Sequence, residues 1–184
     1  MFSCKKIAVV GIGYVGLSNA IALSRFNPVV AYDIDEGKVL ALNQKRSPLN
    51  ELDLVNYLAN EDLDLIATSS KNMAFEGAEY IIIATPTNYD ENINYFDTAT
   101  VESVIGDILE INNNAVIIIR STIPVGFVDF VRQKFRYENI IFCPEFLREG
   151  HSLADIFYPS RIVIGDEGPS SHSVAQLLLS SSND

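Results

Sequence analysis

The sequence predicts an α/β protein, a doubly wound and mostly parallel sheet with helices on both faces. Three observations carry that expectation. Strand-like and helix-like segments alternate along the chain. The apolar strands lack the polar alternation of a half-exposed sheet, as strands covered on both faces must. A glycine-rich turn joins the first strand to the first helix. Such alternation implies right-handed crossovers between parallel strands.

Strands are expected at 6–10, 28–32, 63–67, 80–84, 115–119, 140–142 and 161–164. Helices are expected at 14–26, 35–44, 51–60, 71–76, 98–110, 125–136 and 170–180. Two connections are longer than the topology needs, Thr85 to Thr98 and Cys143 to Ser160. Both follow the C-terminal ends of expected strands, the edge where open α/β sheets bind ligands. The polar tail SSSND reads as frayed.

The chain has 184 residues, which suits one domain with at most a fragment of a second. Its hydrophobic share of 48% is enough for a substantial core. No apolar run approaches the roughly 18 residues that span a bilayer. The run behind Lys5 and Lys6 is short and leads into Gly11, so it reads as a strand and not a signal peptide. These features point to the cytoplasm. The net charge of −11 argues against a nucleic-acid partner, which needs clustered Lys and Arg. A glycine loop can still hold an anionic small ligand.

The turn itself reads GIGYVG from Gly11 to Gly16, a G-x-G-x-x-G pattern. Gly11 permits the tight exit from the strand. Gly13 leaves room for a pyrophosphate against the backbone, and Gly16 lets the helix lie close on the sheet. The helix N-terminus offers free N–H groups to phosphates. The second strand ends on Asp33, 22 positions after Gly11. That is where a ribose-binding carboxylate belongs, about 20 residues on. The context makes this a dinucleotide-binding, Rossmann-like unit. A carboxylate there repels a 2′-phosphate and so favours NAD over NADP. The plainer reading of Asp33 is an N-cap or Asx-turn residue that opens the following helix. Lys38 lies one turn into that helix, placed for a ribose or phosphate, or simply solvated.

ATPT at 84–87 and STIPVG at 121–126 follow two further strands. Pro86 would stiffen its loop, Thr85 offers a hydroxyl, and Thr122 would sit at the sheet's C-terminal edge, level with the nicotinamide end of a bound cofactor, though by composition alone ordinary turn chemistry accounts for all three. PEFLREG at 144–150 gathers Glu145, Arg148 and Glu149. Two carboxylates near a cofactor can do acid–base work, and a solvated surface cluster is the alternative. Cys143 and Cys4 form neither a disulfide framework nor a zinc pattern. Cys143 reads as a buried structural thiol and Cys4 as incidental. His151 and His172 have no metal-ligand partner at useful spacing, so no metal is expected.

Taken together, GIGYVGLS at 11–18, ATPTNYD at 84–90, NYFDT at 94–98, STIPVGF at 121–127, PEFLREG and YPSRIVIG at 158–165 resemble the UDP-glucose/GDP-mannose dehydrogenase family, and its UDP-glucose branch most. The resemblance covers residues 5 to 168. It implies a four-electron oxidation of a sugar C6 alcohol to a carboxylate through a cysteine thioester, with reduction of two NAD⁺. It implies that Gly11, Gly13, Tyr14, Val15 and Gly16 hold the pyrophosphate, and that Asp33 and Lys38 hold the adenosine ribose. Thr85, Pro86, Thr122 and Glu149 would complete the cofactor site. Thr122 and Glu149 would act in catalysis, Thr122 placing a water and Glu149 nearest the thioester hydrolysis. Glu145, Phe146, Leu147, Arg148 and Glu149 would wall the UDP-glucose site. The family's nucleophilic cysteine (in a segment ending CLPKD), its catalytic lysine and asparagine, its central helix and its uridine-binding domain have no counterpart in residues 1–184. Residues 1–184 are therefore expected to be a truncated N-terminal NAD-binding domain that binds NAD and turns nothing over. The whole enzyme would be a homodimer that pairs through the central helix. Another sugar-nucleotide dehydrogenase and a non-catalytic NAD-binding module are the alternatives.

Overall fold

The structure is a computed structural model that describes residues 5–87, 89–90 and 95–183. Cys4, Asn88, Asn94 and Asp184, which the sequence reading touches, lie outside the described residues.

The chain runs β1 (Ile7–Val10), α1 (Tyr14–Ser24), β2 (Val29–Tyr32), α2 (Glu36–Asn43), α3 (Leu52–Asn60), β3 (Leu65–Thr68), α4 (Lys71–Phe75) and β4 (Tyr80–Ile83). It continues through β5 (Tyr89–Asp90), β6 (Tyr95–Phe96), α5 (Ala99–Ile111), β7 (Val116–Ile119), α6 (Phe127–Phe135), β8 (Ile140–Phe142), α7 (Ser152–Phe157) and α8 (Ser171–Ser180). Six strands form one parallel sheet in the order β3-β2-β1-β4-β7-β8. The winding direction changes between β1 and β4, and a crevice opens at such a switch point beyond the strands' C-terminal ends.

Why these segments are strands shows in how they bury both faces. Ile81 and Ile83 join a core with Phe75 of α4, Ile105 and Ile108 of α5, and Val131 of α6. Ile82 between them faces the opposite core, with Leu17 and Ile21 of α1, Leu54 of α3, Phe157 of α7 and Leu177 of α8. The side-chain period of two sends successive isoleucines to different layers. A run without polar residues is the only pattern that satisfies both.

Several expectations need correction. Residues 161–164 are not a strand. Exposure alternates there, with Arg161 and Val163 outward and Ile162 and Ile164 half-buried. One backbone bond, Gly165 N–H to Phe142 O at 2.8 Å, ties the segment to β8. The loop from Cys143 to Ser160 contains α7, whose Leu153, Ile156 and Phe157 bury one face at helical spacing. Part of the Thr85–Thr98 connection is the short antiparallel pair β5–β6. The described part of the tail is not frayed. Ser181 is buried, the Asn183 N–H donates to Phe157 O at 2.8 Å, and Arg25 donates to Asn183 Oδ1 at 2.7 Å.

Candidate functional site

The glycine turn sits at the switch point, and its three glycines have separate reasons. Gly11 has φ +97°, and a Cβ on it would stand 2.7 Å from Ala84 O. A Cβ on Gly16 would stand 1.8 Å from Gly11 O, so the helix can approach the turn only without one. Gly13 differs, because a Cβ there would meet no protein atom within 4 Å. Packing does not require glycine at 13, whereas a ligand lying on the backbone would. Gly13 is also the N-cap of α1 and supplies no side-chain acceptor. The first intrahelical bond is Leu17 N–H to Gly13 O at 2.8 Å. Helix geometry leaves the preceding N–H groups, at Tyr14, Val15 and Gly16, without intrahelical partners. No acidic side chain occupies the first turn to compete with an anion.

Asp33 lies at the end of β2 and is 8% exposed. Its Oδ2 accepts the Ile12 N–H at 2.6 Å, and its Oδ1 accepts the Asp35 N–H at 3.0 Å. The helix cap is a different residue, because Asp35 Oδ1 accepts the Gly37 and Lys38 N–H groups. Asp33 is therefore not the helix cap, but its bond to the Asp35 N–H is the contact of an Asx turn, so the plainer reading holds in that form. Lys38 Nζ stands 3.6 Å from Asp33 Oδ2. The carboxylate both fixes the glycine turn through Ile12 and stands at the rim beside a lysine.

These groups line one cleft of about 430 Å³ with Tyr14, Val15, Thr85, Pro86, Thr122 and Glu145. That volume is in the range of small-molecule sites. Thr85 has a buried Oγ1 without a hydrogen-bond partner among the described residues. Such a hydroxyl is costly unless a ligand or water satisfies it. Ser121 donates to Thr85 O at 2.7 Å and clamps the two cleft loops together. Glu145 Oε2 accepts the Leu147 N–H at 2.7 Å, which holds its carboxylate at the cleft wall.

The remaining expected residues are placed elsewhere. Gly16 packs beneath the turn. Phe146, Leu147 and Arg148 line a second cavity, which adjoins the first at Arg120. Glu149 is exposed and lines neither cavity. Arg148 does not pair with a glutamate of its own loop. Its guanidinium meets Asp155 of α7 at 2.6 and 3.1 Å, and its N–H donates to the same carboxylate at 2.8 Å. The hydrogen bond from Arg148 holds the Asp155 carboxyl below its usual range, and the same bond raises Arg148. Cys143 is fully buried, and burial pushes its thiol up to about 12. A thiol so placed is a poor nucleophile. Among the described residues no group of three or more His, Cys, Asp or Glu is placed to hold a metal.

Sequence reasoning missed Arg120 and Ser121 as cleft residues. Arg120 adjoins STIPVG and Ser121 opens it, so their position at the C-terminal edge of β7 was the available signal.

A model of the UDP-glucose/GDP-mannose dehydrogenase family, NAD binding domain, matches residues 5–181. The chain is similar to UDP-glucose 6-dehydrogenase of Campylobacter jejuni, 46% identical over 95% of this chain and 45% of that protein. It is similar to the protein of the same name from Streptococcus pneumoniae, 45% identical over 88% of this chain and 41% of that protein. The chain thus spans less than half the length of these curated relatives. Among solved structures, the ternary complex of GDP-mannose dehydrogenase from Pseudomonas aeruginosa superposes with a TM-score of 0.84 at 23% identity, covering 96% of this chain and 44% of that one. UDP-glucose dehydrogenase from Pyrobaculum islandicum gives 0.84 at 24% identity, with the same coverage. At these identities the two structures support the fold. Among the described residues no helix is long and apolar enough to cross a membrane.

Proposed function

Because this chain belongs to the UDP-glucose/GDP-mannose dehydrogenase family, as its NAD-binding domain, we propose that it supplies the cofactor half of an NAD-dependent oxidation of UDP-glucose to UDP-glucuronate. The observation that carries the cofactor half is the open space over Gly13. The turn is shaped for a group that is not protein. NAD supplies a hydride acceptor when bound.

This chain's residues then divide the work of binding and orientation. Gly11, Gly13 and the N–H groups at Tyr14, Val15 and Gly16 receive the pyrophosphate. Asp33 accepts from the adenosine ribose hydroxyls with Lys38 beside it, and its negative charge disfavours a 2′-phosphate. Thr85, Pro86 and Thr122 bound the cleft farther along the sheet edge. Thr122 is exposed at that edge and free to position a water. Glu145, Phe146, Leu147 and Arg148 provide one wall for the sugar nucleotide, and Glu149, exposed next to them and outside both cavities, is the proposed proton-handling group of the hydrolytic step. Within residues 1–184, Cys143 is too deeply buried to capture a substrate carbon. The chain by itself binds NAD without turnover.

The choice of UDP-glucose rests on the identity to the two named relatives. A chimera tests it, joining this chain to the C-terminal portion of the Campylobacter jejuni protein. The chimera is expected to form two NADH per UDP-glucose and none with GDP-mannose. A folded chimera that oxidises GDP-mannose in preference would contradict the substrate assignment.

A further inference from the structure

Glu51 is a buried carboxylate, 2% exposed, and it lines neither of the two cavities. It stands at the N-cap position of α3, yet its side chain does not cap that helix. It reaches instead to α7, 101 positions along the chain. Glu51 Oε1 accepts the Leu153 N–H at 3.2 Å, and the Ser152 hydroxyl lies 3.0 Å from Oε1 and 2.9 Å from Oε2. His151 gives the entry of α7 no side-chain cap, so the carboxylate of Glu51 serves there. A carboxylate only accepts, which fixes the order of the next bond. The Ser152 proton points to Glu51, so the Ser18 hydroxyl donates to Ser152 Oγ at 2.6 Å. Both serines are fully buried.

The relay joins three elements, and two of them carry the proposed site. α1 opens on the glycine turn, and Asn19, next to Ser18, lines the second cavity. α7 buries Ser152 and Leu153 and gives Asp155 and Ile156 to that cavity. Asp155 in turn holds Arg148 of the wall by its N–H and its guanidinium. The wall is thus fastened to α7, and α7 to α1 and α3, by bonds with a set direction. The apolar packing of α7 is non-directional and would hold the helix without fixing its register. Burying a carboxylate is costly, and apolar residues of similar shape would stabilise the same contact as well or better. A fully bonded polar network instead selects one arrangement.

We propose that Glu51 is a positioning residue for the sugar-nucleotide site: through Ser152 and Ser18 it sets the wall in register with the helix that opens on the cofactor turn. This rests on the sugar-nucleotide reading of that wall. Glu51 touches neither ligand. When its bonds are lost, α7 populates several registers, and only chains with the wall in place bind the sugar nucleotide. The apparent dissociation constant rises by the inverse of that fraction. The complex, once formed, reacts as before.

The test uses the chimera with the Campylobacter jejuni C-terminal portion and whichever sugar nucleotide the parent chimera oxidises. Glu51→Gln keeps the length of the side chain and replaces one acceptor oxygen by a donor. KM for the sugar nucleotide is expected to rise about tenfold, the loss of one charge-assisted hydrogen bond. The kcat should stay within about twofold of the parent, as for a change in binding alone. KM for NAD⁺ should not move, because Glu51 does not line the cofactor cleft. Ser18→Ala is the gentler variant should Glu51→Gln not fold. It leaves Glu51 bonded to Ser152 and Leu153 and removes one neutral hydrogen bond, so the same KM should rise about threefold. A role in stability alone would lower Tm and leave both KM values as they are. The proposal is overturned if either folded variant keeps the parent's KM for the sugar nucleotide, or if KM for NAD⁺ rises in step with it. A folded parent chimera that oxidises no sugar nucleotide would sink the oxidation reading and this one with it. A working parent whose variants match it would sink this one alone.

Discussion

Gly13 and Gly16 look alike in the motif and are held by different forces. Gly16→Ala drives a methyl into the Gly11 carbonyl, where backbone cannot yield. We expect a loss at the upper end of overpacking costs, about 3 kcal/mol, and a fall in Tm on the order of 10 °C. Gly13→Ala meets no protein atom and costs at most about 1 kcal/mol as a poorer N-cap. It should weaken NAD⁺ binding at least about tenfold, since the new methyl stands where the pyrophosphate approaches. Thermal melts and calorimetric titrations of the two variants check the contrast. If both lose only stability, the space over Gly13 is not a ligand site. Asp33 joins both roles in one side chain. Asp33→Ala removes charged hydrogen bonds worth about 1.5–3 kcal/mol to a ligand, a drop of roughly 10- to 100-fold in NAD⁺ affinity. It also leaves the Ile12 N–H without its 2.6 Å acceptor. Unchanged affinity in a folded Asp33→Ala chain would remove the ribose role.

Between elements, carboxylates act as ties. Asp166 accepts from Ser171 at 2.6 Å, from Arg132 at 2.8 Å and from the Gly168 N–H at 2.7 Å. It thereby joins α6 to the entry of α8. The Ser171 bond and then Arg132 hold its carboxyl below the usual range. A pKa depressed by folding adds stability that is complete above the unfolded value, about 4. That stability is lost as the pH falls through the lower folded value. Asp166→Asn should therefore cost about 1–3 kcal/mol at pH 7, with the gap to the parent closing in acid. Thermal melts across that range would show it, and a gap that stays constant would mean the charge is irrelevant. The main elements were legible because β1, β2, β4 and β7 are apolar on both faces and most helices end on clear breaks. α7 was not, because SLADIF is a single short turn-and-a-half whose placement depends on partners far away in sequence. Ser152 Oγ reaches Ser18 Oγ at 2.6 Å and the buried Glu51 carboxylate at 2.9 and 3.0 Å. The opposite error at 161–164 has the same origin. RIVI has strand propensity, but a strand exists only where a neighbour offers a ladder.

For the molecule as a whole, topology assembled most of the candidate site. Gly13, Asp33, Thr85 and Thr122 come from four strand ends, and the order β3-β2-β1-β4-β7-β8 brings them to one edge. Motif spacing foretold that convergence. It did not foretell Arg120, whose meaning comes from burial and an unpaired Nε, quantities that no spacing encodes. Nor did it foretell that Arg148 would turn away from its glutamate neighbours to Asp155. The central claim is that the cleft over Gly13 holds NAD and that Asp33 selects it. Calorimetric titration of the chain with NAD⁺ and, in parallel, NADP⁺ tests this most directly. The account predicts saturable NAD⁺ binding, with NADP⁺ weaker by at least about tenfold, or 1.4 kcal/mol. Equal affinity for the two, or no NAD⁺ binding by a chain whose circular dichroism is native, would contradict it.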